Sequence, residues 1–353
     1  MSDPVPVAVV DGHNDLPWTL RTRRASSVEG LDSGLPPEEA QTDLPRLRAG
    51  GVAAQFWSVW VDSVVSGPEV VTATLEQIDV VHRMAARHPE TLRLTRTAAE
   101  TRAAIAAGRI ASLLGVEGGH QIENSLAVLR AYARLGVRYL TLTWTASHDW
   151  ADSATGEPTH GGLSPFGREV VAELNRIGVL VDLAHVSVAT AHDALDVSRA
   201  PVIVSHSCAG ALNPHPRNLP DDVVRRVAEG GGVYQVTFVP DFLSREHHVW
   251  SRTGRSGPAP RVDASTVADH VEHLCSVAGV SGVGIGGDYD GSPDMPRDLP
   301  DVAAYPVLFA ELRRRGWSEA DLRLLGGENV LRVLESADPA WTAFVRAGSG
   351  GSV

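Results

Sequence analysis

The chain has 353 residues, 43% of them hydrophobic, and a formal net charge of −12 at pH 7. This composition allows a large buried core and argues against nucleic acid as the main partner, because binding phosphates requires a basic surface. All 31 basic residues are arginine, which excludes Schiff-base, P-loop and carboxylated-lysine chemistry. The two cysteines, Cys208 and Cys275, form no CxxC motif and indicate no disulfide framework.

Eight short apolar segments alternate with helical segments along the chain. They are residues 7–13, 53–61, 110–118, 139–144, 179–185, 201–206, 233–239 and 283–290. Such continuous apolar runs are typical of strands in a parallel sheet that is covered on its outside. Several of the helical segments end in glycine just before the next strand, at Gly136, Gly178 and Gly279, which is a frequent helix stop.

The helical segments support a barrel. In residues 70–88, Val71, Leu75, Ile78 and Val81 recur at spacings of three or four, which predicts a single apolar helix face. Two more helices, 302–316 and 319–335, follow the last strand. We therefore predict one α/β domain, a (β/α)8 barrel with C-terminal helices. A doubly wound sheet is the alternative, but no glycine-rich nucleotide fingerprint opens the first helix.

Several segments lie outside the regular pattern. We expect the barrel to span residues 1–345 and a disordered tail to occupy 346–353. Two insertions, 19–42 and 240–262, interrupt the alternation and are read as either lids or solvated connections. The N-terminus has no signal-peptide pattern, and no apolar stretch approaches membrane-spanning length. We therefore expect a cytoplasmic protein without a membrane partner.

Histidine and carboxylate side chains stand where several predicted strands end. The residues are His13, Asp15, Glu117, His185 and His206. In a parallel barrel all these strand ends open onto one face. A lone histidine there is more often a hydrogen-bonded core residue, but two on successive strands, together with an H-x-D triplet, favour metal ligation.

The residue types predict a binuclear site. We assign His13 and Asp15 to one ion, His185 and His206 to the other, and Glu117 to a position between them. Imidazole and carboxylate ligands together suit two Zn²⁺ ions, with Mn²⁺ or Co²⁺ as alternatives.

The same site predicts a reaction. A hydroxide bridging two ions is a nucleophile at neutral pH and can attack a carbonyl carbon. Asp288, at the end of the eighth strand, is the predicted catalytic group that takes the proton and passes it to the leaving amine. Asp290 is the nearby alternative.

The chain resembles the renal or membrane dipeptidases, which are barrel members of the amidohydrolase superfamily. The motifs that carry the resemblance are DGHNDLPW, GVEGGH, VRYLTLT, HVS, SHS, HPRNLPDD and GIGGDYDG, together with residues 301–335. The resemblance implies a binuclear zinc dipeptidase that acts on small dipeptides, with the same five metal ligands and Asp288 as acid and base. It also implies a homodimer, although no interface can be recognised in the sequence.

The resemblance also implies two substrate-binding residues. Arg217 matches the residue that grips the C-terminal carboxylate of the substrate, and Asn218 beside it is expected to orient it. A planar guanidinium suits this role because it binds a carboxylate in bidentate fashion. A structural ion pair is the alternative role for Arg217.

One position departs from the family pattern. Mammalian-type members have a histidine after LTLT that polarises the scissile carbonyl, whereas this chain has Trp144. The indole N–H can donate only one hydrogen bond. His148 or His160 is the candidate to fold back into the gap, and Val239 replaces an aromatic residue near the seventh strand.

We expect hydrolysis of dipeptides, including those with a C-terminal D-residue. Two alternative functions remain. The first is hydrolysis of another small amide, such as an N-acyl amino acid or a cyclic amide, through a pocket reshaped by Trp144. The second is a non-catalytic binding barrel, against which the complete set of ligands argues.

Overall fold

The computed structural model describes residues 7–349. Eight parallel strands form a closed ring in it: β1 (Val9–Asn14), β2 (Val52–Trp60), β4 (Ile110–Glu117), β5 (Val137–Thr141), β6 (Leu180–Asp182), β7 (Ile203–Ser207), β8 (Val233–Val236) and β9 (Val283–Ile285). The ring closes because β1 pairs with both β2 and β9, and β2 pairs directly with β4. The predicted eight-stranded barrel is confirmed.

One further strand lies outside the ring. Strand β3 (Leu92–Leu94) runs parallel to the first half of β4. The sequence did not indicate it because three residues, of which only Leu92 is buried, are too few to show a strand period.

Helices surround the ring and connect its strands. Their bounds are α1 (Leu16–Arg23), α2 (Leu44–Ala49), α3 (Pro68–Arg87), α4 (Ala98–Ala106), α5 (Leu126–Leu135), α6 (Pro165–Ile177), α7 (Val188–Val197), α8 (Asp221–Glu229), α9 (Pro240–Leu243), α10 (Arg245–Arg252), α11 (Ala264–Ala278), α12 (Tyr305–Arg314), α13 (Glu319–Arg323) and α14 (Asn329–Ser349). Serine side chains cap α5, α6 and α7 at their starts. Gly136 and Gly178 end α5 and α6 in the left-handed region, as predicted.

The buried face of α3 differs from the predicted one. Ile78 and Val81 are buried as expected, but Leu75 is 41% exposed. Thr74 and Gln77 occupy the inner face instead, and both are hydrogen-bonded within the interior. Polar residues with buried partners thus displaced the apolar stripe by about one position.

Helix α14 closes the amino-terminal end of the barrel. Its residues Val330, Leu334 and Ala337 belong to one buried cluster with side chains from the first residues of the strands. Arg138, at the start of β5, pairs with Asp338 of the same helix at 3.1 Å. The opposite, carboxyl end of the barrel is therefore the open one.

The predicted tail and insertions have mixed outcomes. Helix α14 includes residues 346–349, and 350–353 lie outside the described residues, so the boundary at 345 remains a prediction. The segment 240–262 contains α9 and α10, and the segment 19–42 begins inside α1. Among residues 7–349, no helix has the length and apolar character needed to cross a membrane.

Candidate metal centre

The structure brings the five predicted ligands together at the carboxyl end of the barrel. His13 and His206 lie in β1 and β7, Glu117 is the last residue of β4, Asp15 follows β1, and His185 follows β6. All five residues are buried. Their convergence follows from the parallel ring, which turns the end of every strand toward one face.

Glu117 lies between the histidines. Its Oε2 is 3.3 Å from His13 Nε2, while its Oε1 is 2.8 Å from His185 Nε2 and 3.4 Å from His206 Nε2. The Ser58 hydroxyl donates a hydrogen bond to Oε2 at 3.0 Å and fixes the carboxylate plane. Each oxygen of Glu117 thus faces a different set of imidazole nitrogens.

Ligand atoms gather in two overlapping groups, each of which could hold a metal ion. One contains His13, Glu117 and His206, and the other contains His13, Asp15 and Asp288; within each group the atoms lie within 4.8 Å of one another. Asp288, assigned from the sequence as the proton carrier, therefore lies among the ligand atoms, with its Oδ1 4.0 Å from His13 Nε2.

The tautomer of His13 suits a metal ligand. The Tyr139 hydroxyl lies 3.0 Å from His13 Nδ1 and donates its proton to the Gly12 carbonyl oxygen at 3.3 Å. Because a hydroxyl has one proton, it accepts from Nδ1–H, and Nε2 is left to face the carboxylates and bind either a proton or a cation. That Nε2 atom is buried and makes no hydrogen bond within residues 7–349, as expected of a metal-ligand atom.

His206 is oriented in the same manner by a two-residue chain. Ser205 Oγ donates to Asp182 Oδ2 at 2.6 Å and lies 2.8 Å from His206 Nδ1. Asp182 also accepts hydrogen bonds from the Thr141 hydroxyl and the Ala184 amide. The serine hydroxyl therefore accepts from Nδ1–H, and Nε2 of His206 faces the centre unprotonated.

The electrostatics around His13 and Glu117 favour a cation. Burial opposes protonation of His13, but Tyr139, Glu117 and Asp15 outweigh it and raise the pKa of His13 well above its ordinary value. Burial likewise opposes ionisation of Glu117, yet the neighbouring histidines lower the pKa of that carboxyl. A potential that attracts a proton to the imidazole also attracts a metal ion.

Two site residues have strained backbones. His185 and Asp288 adopt the left-handed region, with φ of 66° and 63°, which non-glycine residues adopt infrequently because their Cβ is crowded there. Gly291 lies against the carboxylates: a Cβ added there would be 2.3 Å from both Asp15 Oδ2 and Asp288 Oδ1. Burial raises the pKa of Asp288 well above its usual range, and Asp15 adds to the effect.

Arg217 lies at the centre without a carboxylate partner. Its side chain is buried, its Nε makes no hydrogen bond, and no ion pair joins it to any acidic residue within 7–349. One Nη reaches the His206 carbonyl oxygen at 3.5 Å, and the guanidinium lies 5.1 Å from the centroid of the Phe242 ring. A buried guanidinium is costly unless something pairs with it, so the alternative of a structural ion pair finds no partner here.

Asn218 does not contact the cleft. Its side chain accepts a hydrogen bond from the Cys208 amide and donates to the carbonyls of Asn213 and Phe242. These three hydrogen bonds to backbone groups hold the loop that carries Arg217, so the expected role of Asn218 in orienting Arg217 stays a prediction.

The structure does not place His148 or His160 where the sequence analysis expected one of them, in the cleft beside Trp144. His148 Nε2 donates to the Leu142 carbonyl at 2.9 Å, and its ring packs edge-on against Trp150. His160 is exposed and reaches only the His148 carbonyl. Neither histidine lines the cleft, because both belong to the hydrogen-bonded loop between β5 and α6. Trp144 itself lines the cleft.

The centre opens into a cleft of about 900 Å³. Its lining includes Asp15, Glu117, His185, Arg217 and Asp288, together with three tryptophans, Trp18, Trp60 and Trp144. Asp290, the alternative acid–base group, also borders the cleft. Its Oδ1 accepts a hydrogen bond from the backbone N–H of Gln41 at 2.8 Å.

Several residues of the site escaped the sequence analysis. They are Tyr139, Ser205 and Asp182, which orient the histidines, and Trp60, which ends β2 beside Glu117. A signal existed for Asp182, since an acidic residue inside the apolar run LVDLA requires buried partners.

The comparisons with known proteins agree with this geometry. The family described as Membrane dipeptidase (Peptidase family M19) matches residues 5–343. The dipeptidase verJ of Clonostachys rogersoniana is 42% identical over 343 residues, which is 94% of this chain and 84% of that protein. An uncharacterised dipeptidase of Schizosaccharomyces pombe is 42% identical over 347 residues, which is 94% of this chain and 81% of that protein.

A solved structure is similar over the whole fold. A metallo peptidase from Rhodobacter sphaeroides, liganded with a phosphinate mimic of the dipeptide L-Ala-D-Ala, superposes with a TM-score of 0.83 at 27% identity, covering 94% of this chain and 100% of that one. The extent of these matches shows the family. The chain therefore belongs to the membrane dipeptidases, peptidase family M19, and is a dipeptidase of that metallopeptidase family.

Proposed function

We propose that this enzyme hydrolyses free dipeptides at the described centre, with two divalent cations, preferably Zn²⁺, held by His13, Asp15, Glu117, His185 and His206. The observation that carries the proposal is the position of Arg217, an unpaired and buried guanidinium beside a histidine–carboxylate cluster. Such an arginine suits a substrate that ends in a carboxylate.

The donor set fits the proposed ions. The Nε2 atoms of three histidines and the oxygens of two carboxylates converge, and hydrogen bonds orient two of the rings from behind. When bound, two such cations lower the pKa of water and polarise a carbonyl oxygen. His13 and Asp15 would bind one ion, and His185 and His206 would bind the second. Glu117 would contact both ions.

Arg217 would bind and orient the substrate. Its guanidinium stacks near Phe242 and lacks a competing acid among the described residues, so a substrate carboxylate would supply its missing partner. Holding that carboxylate fixes the distance of the scissile bond from Glu117. Orientation of this kind contributes a large part of catalytic rate.

Asp288 would carry the proton. Its Oδ1 lies 4.0 Å from His13 Nε2, and its side chain borders the cleft. From there the carboxylate can take a proton from water and deliver it to the nitrogen of the leaving amine. Asp290 is less suited to this role because the Gln41 amide already occupies one of its oxygens.

Acceptance of L,D-dipeptides is part of the proposal. It is supported by the similar Rhodobacter sphaeroides enzyme, whose structure contains a mimic of L-Ala-D-Ala. N-acyl amino acids are the second candidate class, because they offer Arg217 the same carboxylate and Trp144 gives the cleft an apolar wall.

The test measures turnover and metal content together. The protein is reconstituted with Zn²⁺ and assayed on L,L-dipeptides, L,D-dipeptides and N-acyl amino acids, with and without a chelator. Chelator-sensitive cleavage of dipeptides supports the proposal, and cleavage of N-acyl compounds alone replaces it with the second class. Two bound ions without cleavage of any of these substrates would contradict the proposal.

A further inference from the structure

Trp60 and Arg217 lie on opposite sides of the barrel mouth. The ring order is β1, β2, β4, β5, β6, β7, β8 and β9. Trp60 ends β2 and Arg217 follows β7, so three strands separate their two strands in either direction around the ring. A substrate anchored at Arg217 that crosses the centre therefore points its far end toward Trp60.

Three tryptophans form the wall on that far side, which we call the tryptophan wall: Trp18, Trp60 and Trp144. The Trp60 ring packs edge-on against Trp144 at 4.6 Å and against Trp18 at 4.4 Å between centroids. Trp144 also lies 6.3 Å from the His185 ring. The wall is therefore continuous with the metal centre and borders the cleft throughout.

The wall offers apolar contact rather than hydrogen bonds. Trp60 Nε1 is buried and has no hydrogen-bond partner within residues 7–349, and its ring packs edge-on against both neighbouring tryptophans. Trp60 and Trp144 nevertheless remain partly exposed toward the cleft. Aromatic faces held in this way bind large apolar or aromatic side chains and give small ones little to contact.

We infer that the Trp60–Trp144 pair is the subsite for the side chain of the N-terminal residue, and that the enzyme prefers dipeptides whose first residue is aromatic or large and apolar. The inference rests on the proposed function. In that arrangement Arg217 holds the C-terminal carboxylate, the peptide bond lies over Glu117, and the first side chain reaches the wall. Both ends of this arrangement, Arg217 and the two tryptophans, line the same cleft as Glu117.

The test separates the two residues of the substrate. Steady-state kcat and KM are measured for Phe-Gly and Ala-Gly, which differ in the first residue, and for Gly-Phe and Gly-Ala, which differ in the second. The wild-type enzyme should favour Phe-Gly over Ala-Gly by about tenfold or more in kcat/KM. The double variant W60A/W144A should lose most of that ratio, chiefly through KM.

Two further variants guard against a trivial loss of structure. W60F/W144F keeps the aromatic faces without the indole N–H groups and should retain the first-residue ratio. V239A changes a cleft residue that follows β8, the ring neighbour of β7, and should leave that ratio unchanged. Metal content and thermal unfolding of every variant show whether the fold and the centre survive.

Several outcomes would overturn the inference. They are a first-residue ratio unchanged in W60A/W144A, an effect confined to Gly-Phe, and a uniform fall in kcat for all four substrates, which would instead indicate that Trp144 donates a hydrogen bond to the reacting carbonyl. A zinc-loaded wild-type enzyme that cleaves no dipeptide would overturn the proposed function itself, and this inference with it.

Discussion

Glu117 contacts His185 through one carboxylate oxygen, Oε1, at 2.8 Å, and directs its other oxygen to His13 at 3.3 Å. Loss of this carboxylate removes a ligand from both proposed ions. We expect Glu117→Ala to retain fewer than two Zn²⁺ ions per chain after dialysis and to lose activity. Metal content measured by mass spectrometry checks this, and an alanine variant that kept two tightly bound ions would disprove the bridging role.

Ser205 links Asp182 to His206 through hydrogen bonds. Its hydroxyl donates to Asp182 at 2.6 Å and lies 2.8 Å from His206 Nδ1. Loss of a group that orients a ligand typically lowers metal affinity about 10- to 100-fold. We expect Ser205→Ala to show this weakening in competition with a chelator.

The matched control for Ser205 is another buried strand serine. Ser112, in β4, has a hydroxyl without a hydrogen-bond partner among the described residues. Ser112→Ala should therefore bind metal as the wild type does. Equal affinities for the two alanine variants and the wild type would mean that the Ser205 hydroxyl does not set the orientation of His206.

The barrel and the convergence of the ligands could be predicted from the sequence, because both follow from short local patterns of apolar and polar residues. Short apolar runs that end at glycine, histidine or carboxylate residues indicate where parallel strands stop, and the fold then brings the strand ends together. His13 and His206 are adjacent for this reason, with ring centroids 3.8 Å apart.

The sequence could not show where hydrogen bonds between distant segments direct a side chain. Asn218 follows Arg217 directly, yet its amide is used by backbone groups of three other residues. His148 is four residues from Trp144, yet a single bond to the Leu142 carbonyl directs it away from the cleft. Such choices depend on partners that only the folded chain supplies.

His148 makes the stability of the fold depend on pH. Burial lowers its pKa from the ordinary 6.5 to about 4. Between these values the unfolded chain binds a proton that the folded chain does not, so stability falls as the pH falls from 6.5 toward 4. The contribution is at most about 1.4 kcal/mol per pH unit.

The variant His148→Gln tests this dependence. Glutamine can keep the hydrogen bond to the Leu142 carbonyl but does not titrate. Urea unfolding at pH 6.5 and pH 5.0, at one fixed zinc concentration, should show a smaller drop for the variant than for the wild type. Parallel pH slopes for the two proteins would contradict the assignment.

Arg217 should discriminate substrates by their C-terminal group. Charge-assisted hydrogen bonds contribute about 1.5–3 kcal/mol each, so Arg217→Met should lower kcat/KM for dipeptides by roughly 10- to 100-fold. The same change should matter far less for dipeptide amides, which lack the carboxylate. An equal loss on both substrate types would show that the arginine supports the fold rather than the substrate.

Asp288 provides the sharpest separation of chemistry from metal binding. Its carboxylate borders the cleft, 4.0 Å from His13 Nε2, and general acid–base groups contribute about 10²- to 10⁴-fold to rate. We expect Asp288→Asn to keep two Zn²⁺ ions and to lose kcat by such a factor.

The matched control is Asp290→Asn, two residues away in the same loop and also in the left-handed region. Its loss of activity should be much smaller, because Gln41 already holds one oxygen of Asp290. If the two variants exchanged these outcomes, Asp290 would be the proton carrier; if Asp288→Asn lost its metal, Asp288 would be a ligand instead.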